Sequence, residues 1–135
     1  MEVLRLMADI ALVVLIWLVQ LIIYPSFRYL EDHSFKQWHT RYMKYMSLIV
    51  FPLMLFQLLL YTAELVVLQN WIFLPSLCVV LLIWLHTFFI ARPIHHSFGW
   101  VSDRDTDLVK LLKVNWLRVL GWNFIWFWAL YQYYF

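Results

Sequence analysis

Charged residues are scarce in this sequence of 135 residues: only 13% are charged, whereas 65% are hydrophobic. An ordinary soluble domain has roughly 25% charged and about 45–50% apolar residues. A domain this small leaves a large share of its chain exposed, so it could not hide this much apolar surface from water. The composition therefore excludes a water-soluble fold and indicates that lipid surrounds the chain.

Cysteine and glycine are also rare. Cys78 is the only cysteine, which excludes a disulfide framework and a thiolate metal cluster. The two glycines form neither a glycine-rich phosphate-binding loop nor a GxxxG motif, so we expect neither phosphate cradling nor close backbone crossing between helices. The mild net charge of +2 is explained by basic residues in membrane-flanking loops, and we expect no nucleic-acid partner.

The few charges are clumped along the chain. They leave four long uncharged stretches, which run from Asp9 to Arg28, from Lys44 to Glu64, from Glu64 to Arg92 and beyond Arg118. Each stretch is close to the roughly 20 residues that cross a hydrocarbon core as a helix. We therefore predict an all-α fold, an integral membrane antiparallel four-helix bundle. It forms a single transmembrane domain over residues 1–135, with spans at about 7–27, 46–68, 71–92 and 108–133.

The basic residues lie almost entirely on one side of the predicted spans. Two connections, and the first turns of span four, carry Arg28, Lys36, Arg41, Lys44, Arg92, Arg104, Lys110 and Lys113. Only Arg5 falls on the opposite side. Because short loops rich in Lys and Arg stay in the cytoplasm, we predict a multi-pass protein of the bacterial inner membrane with both termini periplasmic. The remaining connection is predicted to be a tight turn at Gln69-Asn70.

The segment before the second span is more structured than a loop. Aromatic side chains recur there at helical spacing: Phe35, Trp38 and Tyr42. We predict one helix that starts near Ser34 and continues through Pro52 as a kink. This helix places His39 on the same face as Gln57.

Polar side chains inside the spans line up on one face of each helix. They are Trp17, Gln20 and Tyr24 in span one, Met54, Gln57, Tyr61 and Glu64 in span two, His86 in span three, and Asn115, Arg118 and Trp122 in span four. Polar groups at bilayer depth usually face a partner or a cavity. We therefore predict a ligand site in the cytoplasmic half, with these residues: Gln20, Tyr24, His86, Asn115 and Arg118.

A purely structural alternative stands beside this site. Gln20, Tyr24 and Asn115 can hold helices together through hydrogen bonds worth roughly 0.6–2 kcal/mol each. Arg118 is harder to explain in this way, because a guanidinium inside a span needs a partner or water. Glu64 is the only acidic residue well inside the predicted spans, but it is placed nearer the outer side. An anionic ligand group, or snorkelling of Arg118 to the interface, is the remaining alternative.

The histidines are predicted to lie together on the cytoplasmic side. Imidazole ligates transition metals or haem iron, and it also acts as a general acid or base. If the two cytoplasmic connections pack together, His95 and His96 meet His39, and Asp103 or Asp105 completes a ligand set suited to Zn or Fe. We therefore predict His39, His95 and His96 as metal ligands; alternatively, they are solvated side chains near the membrane surface.

Short motifs are spread over nearly the whole chain. They are Trp17-x2-Gln20-x3-Tyr24-Pro25-x-Phe27, Phe35-x2-Trp38-His39, Pro52-x-Met54, Trp84-x2-Thr87, Pro93-x-His95, and Asn115-Trp116-x-Arg118 with Trp122. This order resembles a family of small bacterial four-span membrane proteins, in which an acidic residue commonly stands where this sequence has Gln57. The architecture is also similar to HemJ-type protoporphyrinogen oxidases and CopD-like proteins, which implies haem or copper. The first-span histidine of the HemJ-type proteins is absent.

Together these patterns predict an inner-membrane protein with a His-lined site for a small molecule or for a haem or transition-metal cofactor. Such a protein would be a redox or metal-assisted membrane enzyme acting on a small or lipid-like substrate. The alternative is a non-enzymatic accessory or assembly subunit of a membrane complex. Its expected partners are the lipid bilayer and either a second copy of the chain or another membrane protein.

Overall fold

The computed structural model describes residues 1–98 and 103–135, and within these ranges the chain is all helical, with no strand. Four long helices account for nearly all of it: α1 (Glu2–Tyr29), α2 (Asp32–Val66), α3 (Trp71–Ser97) and α4 (Arg104–Tyr134). The all-α class predicted from the apolar stretches is confirmed.

Three of the four helices in the described ranges, α1, α2 and α3, are long and apolar enough to cross a membrane. Helix α4 has 31 residues, but its first turns carry Asp105, Asp107, Lys110 and Lys113. Its second half is rich in Trp and Tyr, which have low hydropathy values although both are enriched at membrane–water interfaces. Large apolar side chains point outward from all four helices, among them Leu21, Leu48, Phe89 and Leu120.

Helix α2 is one continuous α-helix of 35 residues with Pro52 inside it. This confirms the predicted helix through the proline. His39 and Gln57 are both buried and lie about five helical turns apart, on the same face. After α2 the chain turns at Gln69, which has a positive φ of 52°, and this confirms the tight turn predicted at Gln69-Asn70.

Helices α1 and α3 each contain one π-helical turn, Val19–Ile23 and Thr87–Ala91. One residue and then a proline, Pro25 or Pro93, follow each turn. Proline has no N–H, and its ring crowds the carbonyl four residues earlier, so a helix opens locally around it. A π turn holds one extra residue, which rotates the side chains that follow it by about 100° relative to an uninterrupted α-helix.

Helix α1 packs against α2 and α4, and α3 also packs against α2 and α4. Buried apolar side chains from all four helices meet in one core, including Leu12, Tyr61, Ile83 and Ile125. At Gly121 the backbone of α4 approaches α3 so closely that a Cβ atom would lie 2.9 Å from Ile83 Cδ1. One glycine therefore permits a close helix contact that the absence of GxxxG did not predict.

Candidate functional site

Four residues, one from each helix, form a buried chain of polar contacts. Arg118 Nη2 of α4 donates a hydrogen bond of 3.0 Å to Tyr24 Oη of α1. Tyr24 Oη lies 2.9 Å from His95 Nε2 of α3. His95 Nδ1 lies 3.2 Å from His39 Nε2 of α2. We call Tyr24, His39, His95 and Arg118 the histidine cluster, and all four side chains are buried.

One arrangement of protons satisfies every contact in the histidine cluster. Because the Tyr24 oxygen accepts a hydrogen from Arg118, its own hydroxyl is free to donate to His95 Nε2. His95 then carries its proton on Nδ1 and donates to His39 Nε2. The cluster thus links the guanidinium cation of Arg118 to two buried imidazoles through the Tyr24 hydroxyl.

Aromatic side chains pack against one side of the histidine cluster. Phe27 contacts the rings of Phe35, Trp38, Tyr42 and Phe98, and we call these five residues the aromatic collar. The His39 ring meets Phe27 edge-on at 5.7 Å and stacks on Phe35 at 5.4 Å. These contacts fix the imidazole plane and exclude water from one side of the cluster.

Of the other predicted ligand-site residues, Gln20 and Asn115 form a separate pair. Asn115 Nδ2 donates to Gln20 Oε1 at 2.8 Å, and Gln20 Nε2 donates to the Leu112 carbonyl at 3.3 Å. His86 is buried, but its Nδ1 has no hydrogen-bond partner in the described ranges. The structure therefore gathers Tyr24 and Arg118 into the histidine cluster and places these three residues outside its chain of contacts.

The three histidines predicted as metal ligands do not meet at one point. His39 and His95 are in contact, but His96 is exposed and accepts a hydrogen bond of 3.3 Å from Arg92 Nε. Successive residues of a helix point about 100° apart, which directs His96 away when His95 faces inward. Over residues 1–98 and 103–135 no three His, Cys, Asp or Glu side chains are placed to hold a metal ion.

A cavity of about 730 Å³ adjoins the histidine cluster between α2 and α3. Tyr24, His95 and Arg118 lie in its wall. Most of the remaining wall is apolar and comes from α1, α2 and α3, as in Leu15, Val19, Met46, Val50, Trp84 and Phe88. Leu48 and Phe51 of this wall are exposed on the outside of α2, so the cavity is open on this side, where Phe51 also contacts Trp84 and Phe88 of α3. The cavity thus joins the histidine cluster to the apolar outer surface of the helices.

A second buried polar cluster lies in the half of the molecule where α1 begins and α2 ends. Four side-chain hydrogen bonds hold it together: Arg5 Nη1 to Glu64 Oε1 (2.8 Å), Gln57 Nε2 to Asp9 Oδ1 (2.7 Å), Tyr61 Oη to Asp9 Oδ2 (2.8 Å) and Trp122 Nε1 to Gln57 Oε1 (3.2 Å). We call these six residues the carboxylate cluster. The amide of Gln57 suits this position, because it donates to a carboxylate and accepts from an indole at once.

The sequence placed Arg5 just before the first predicted span and Asp9 at the start of that span, and it assigned neither residue a partner. The available signal was their spacing of four residues, which puts both on the same face of α1, together with the lack of a partner for Glu64. The partner of Glu64 is Arg5, not Arg118. Arg118 therefore has no carboxylate within ion-pair distance in the part of the chain that the structure describes.

Comparisons of the chain with protein-family models, with curated proteins and with solved structures found no match. The resemblance to small four-span membrane proteins therefore stays a prediction.

Proposed function

We propose that this chain is an integral protein of the bacterial inner membrane that binds a small lipid-like molecule beside the histidine cluster. In this proposal all four helices, α4 included, cross the bilayer as one antiparallel bundle. Both termini then lie in the periplasm, and the histidine cluster lies in the cytoplasmic half.

The contacts between helices support the antiparallel arrangement. Contacting residues run in opposite order along neighbouring helices. Between α1 and α2, Arg5 contacts Glu64 and Asp9 contacts Gln57; between α2 and α3, Tyr61 contacts Phe73 and His39 contacts His95. Between α1 and α4, Trp17 contacts Asn123 and Gln20 contacts Leu112. Short loops between antiparallel neighbours are the usual connection in helix bundles. The outward-facing Leu, Ile, Val and Phe side chains suit contact with lipid tails rather than with water.

The distribution of Lys and Arg supports the orientation, because basic loops stay in the cytoplasm. Fusions to the C-terminus test it. Alkaline phosphatase, which is active only after export, should be active there, and a reporter that is active only in the cytoplasm should be silent. An inactive phosphatase together with an active cytoplasmic reporter would reverse the orientation.

The single observation that carries the binding function is the cavity between α2 and α3. Its volume of about 730 Å³ lies in the range of roughly 300–1,000 Å³ that is typical of small-molecule sites. Such sites combine apolar walls with a few polar groups that orient the ligand. Here Tyr24, His95 and Arg118 supply those groups.

A photoreactive monoacylglycerol with a diazirine in its chain tests whether the cavity takes lipid-like molecules. After irradiation of the purified protein, labelled peptides should include the cavity walls at residues 46–54 and 84–91. Ser47→Phe, an exposed position in the cavity wall, should abolish this labelling. Thr62→Phe is the matched control, since Thr62 is exposed on the same helix but lies away from the cavity. Equal labelling of the two variants would refute the binding function.

A further inference from the structure

Resting on the proposed binding function, we propose that the cavity takes an amphiphile with an anionic oxygen head, a carboxylate or a phosphate, on a single apolar chain. Arg118 anchors the head. The chain lies along the apolar wall and leaves through the open side between α2 and α3.

The charges around the cavity all have one sign. Its charged lining residues are Lys44, Arg92 and Arg118, all of them cations, and no Asp or Glu among the described residues lines it. Arg118 is only 8% exposed, and a buried guanidinium is costly unless an anion or water compensates it. Tyr24 gives Arg118 one neutral hydrogen-bond acceptor, which leaves its charge uncompensated. An anionic ligand supplies the missing charge.

Hydrogen-bond donors around the cavity are also left unused. Arg118 Nε, Trp84 Nε1 and Thr87 Oγ1 are buried and have no hydrogen-bond partner in the described ranges, and all three side chains belong to the cavity wall. Buried donors without acceptors are rare in proteins and call for an explanation. Carboxylate and phosphate oxygens accept several hydrogen bonds at once, and arginine can hold them in a paired geometry.

The cavity is polar at one end and apolar at the other. Lys44 and Arg92 stand at the polar end with Arg118, whereas Leu15 and Met54 line the apolar end. Along α2 the ten residue steps from Lys44 to Met54 span about 15 Å. A small inorganic anion would fill only the polar end, and an uncharged lipid would leave Arg118 uncompensated. An amphiphile matches both ends.

Four probes separate these cases in binding measurements on the purified full chain: oleate, oleoyl lysophosphatidate, oleyl alcohol and inorganic phosphate. We expect oleate and lysophosphatidate to bind about ten- to a hundredfold more tightly than oleyl alcohol, the factor that a charge-assisted hydrogen bond supplies. Inorganic phosphate should neither bind in the same concentration range nor displace oleate. The relative affinity of the two anions tells which head the site prefers.

Arg118→Leu should bring oleate down to the affinity of oleyl alcohol, and Arg118→Lys should recover part of the difference. Arg41→Leu is the matched control, because Arg41 is an exposed cation on α2 outside this cavity and its loss should leave all affinities unchanged. If Arg118→Leu does not fold, Lys44→Gln at the exposed rim should still weaken oleate but not oleyl alcohol.

Three results would overturn the proposal of an anionic amphiphile. They are equal wild-type affinities for oleate and oleyl alcohol, displacement of oleate by phosphate alone, and equal losses in the Arg118→Leu and Arg41→Leu variants. The first of these leaves the proposed binding function intact, since the cavity would still take a lipid-like chain. Failure of oleate, lysophosphatidate and oleyl alcohol alike would refute the binding function together with the anionic head.

Discussion

The buried ion pair of the carboxylate cluster predicts that replacing Arg5 destabilises the protein more than replacing Glu64. The side chains of Arg5 and Glu64 are 2% and 4% exposed. Arg5→Met removes the only cation of this cluster and leaves two carboxylates, those of Asp9 and Glu64. Glu64→Gln keeps an oxygen that accepts from Arg5, and Arg5 still has Asp9 one turn away and the ring of Phe73 at 3.8 Å. We therefore expect Arg5→Met to be the more damaging change.

The size of each loss in the free energy of unfolding follows from these contacts. Breaking a buried ion pair by removing one partner costs about 3–5 kcal/mol, because the other charge stays buried and uncompensated. Replacing a charged acceptor by a neutral one costs about 1 kcal/mol. We expect Arg5→Met to lower the free energy of unfolding by about 3 kcal/mol or more and Glu64→Gln by about 1 kcal/mol. The double variant should be more stable than Arg5→Met alone, since it carries one buried carboxylate fewer.

Unfolding in mixed micelles, followed by circular dichroism as the fraction of sodium dodecyl sulfate rises, measures these differences. Arg41→Met is the control, because Arg41 is exposed and such a change normally stays within about 0.5 kcal/mol. The reasoning fails if Arg5→Met behaves like Arg41→Met. It also fails if adding Glu64→Gln to Arg5→Met destabilises the protein further.

Three more predictions concern packing and environment. Gly121→Leu should lower the melting temperature in detergent and reduce the free energy of unfolding by about 1–3 kcal/mol. Ile83→Ala in the same chain should recover part of this loss, because it removes the clashing atoms. Absence of any recovery would contradict the close contact. Phe27→Ala should reduce the free energy of unfolding, measured by thermal melting, by about 3–5 kcal/mol, and Phe27→Leu should reduce it clearly less. Equal losses in the two variants would show that the aromatic collar adds no stability. In intact membranes Cys78, exposed on α3, should react with a lipid-soluble maleimide but not with a charged, impermeant one; equal reaction with both would contradict burial in lipid.

The helices were predictable because they depend on local properties of the chain. Charge-free stretches and aromatic spacing indicate helices directly, and Pro52 is accommodated as the sequence predicts. The bounds differ from the predicted spans because the hydropathy pattern marks the apolar part of a helix and not the whole helix. Helix α2, for example, begins at Asp32, about four turns before the predicted span.

The partners within the site were less predictable, because they depend on how each helix is rotated. Gln20 and Tyr24 lie on one predicted stripe, yet Gln20 pairs with Asn115 while Tyr24 joins His95 and Arg118. A regular helical period does not contain the π turn Val19–Ile23, which includes Gln20 and ends just before Tyr24. Arg5 was missed for a different reason: charges near the start of an apolar helix are normally assigned to the membrane surface, whereas here the charge is turned inward.

The π turn also determines what a change in the length of α1 would do to the site. Between Ile16, in the core, and Tyr24, in the histidine cluster, α1 accommodates one residue more than an α-helix would need. Deleting a single residue from Val19–Ile23 would therefore restore an ordinary α-helix and leave Tyr24 facing His95. Closing the turn into an α-helix without a deletion would instead swing Tyr24 by about 100°, and His95 and Arg118 would lose the hydroxyl that joins them. A related protein could therefore have a first helix one residue shorter at this point and still keep the site.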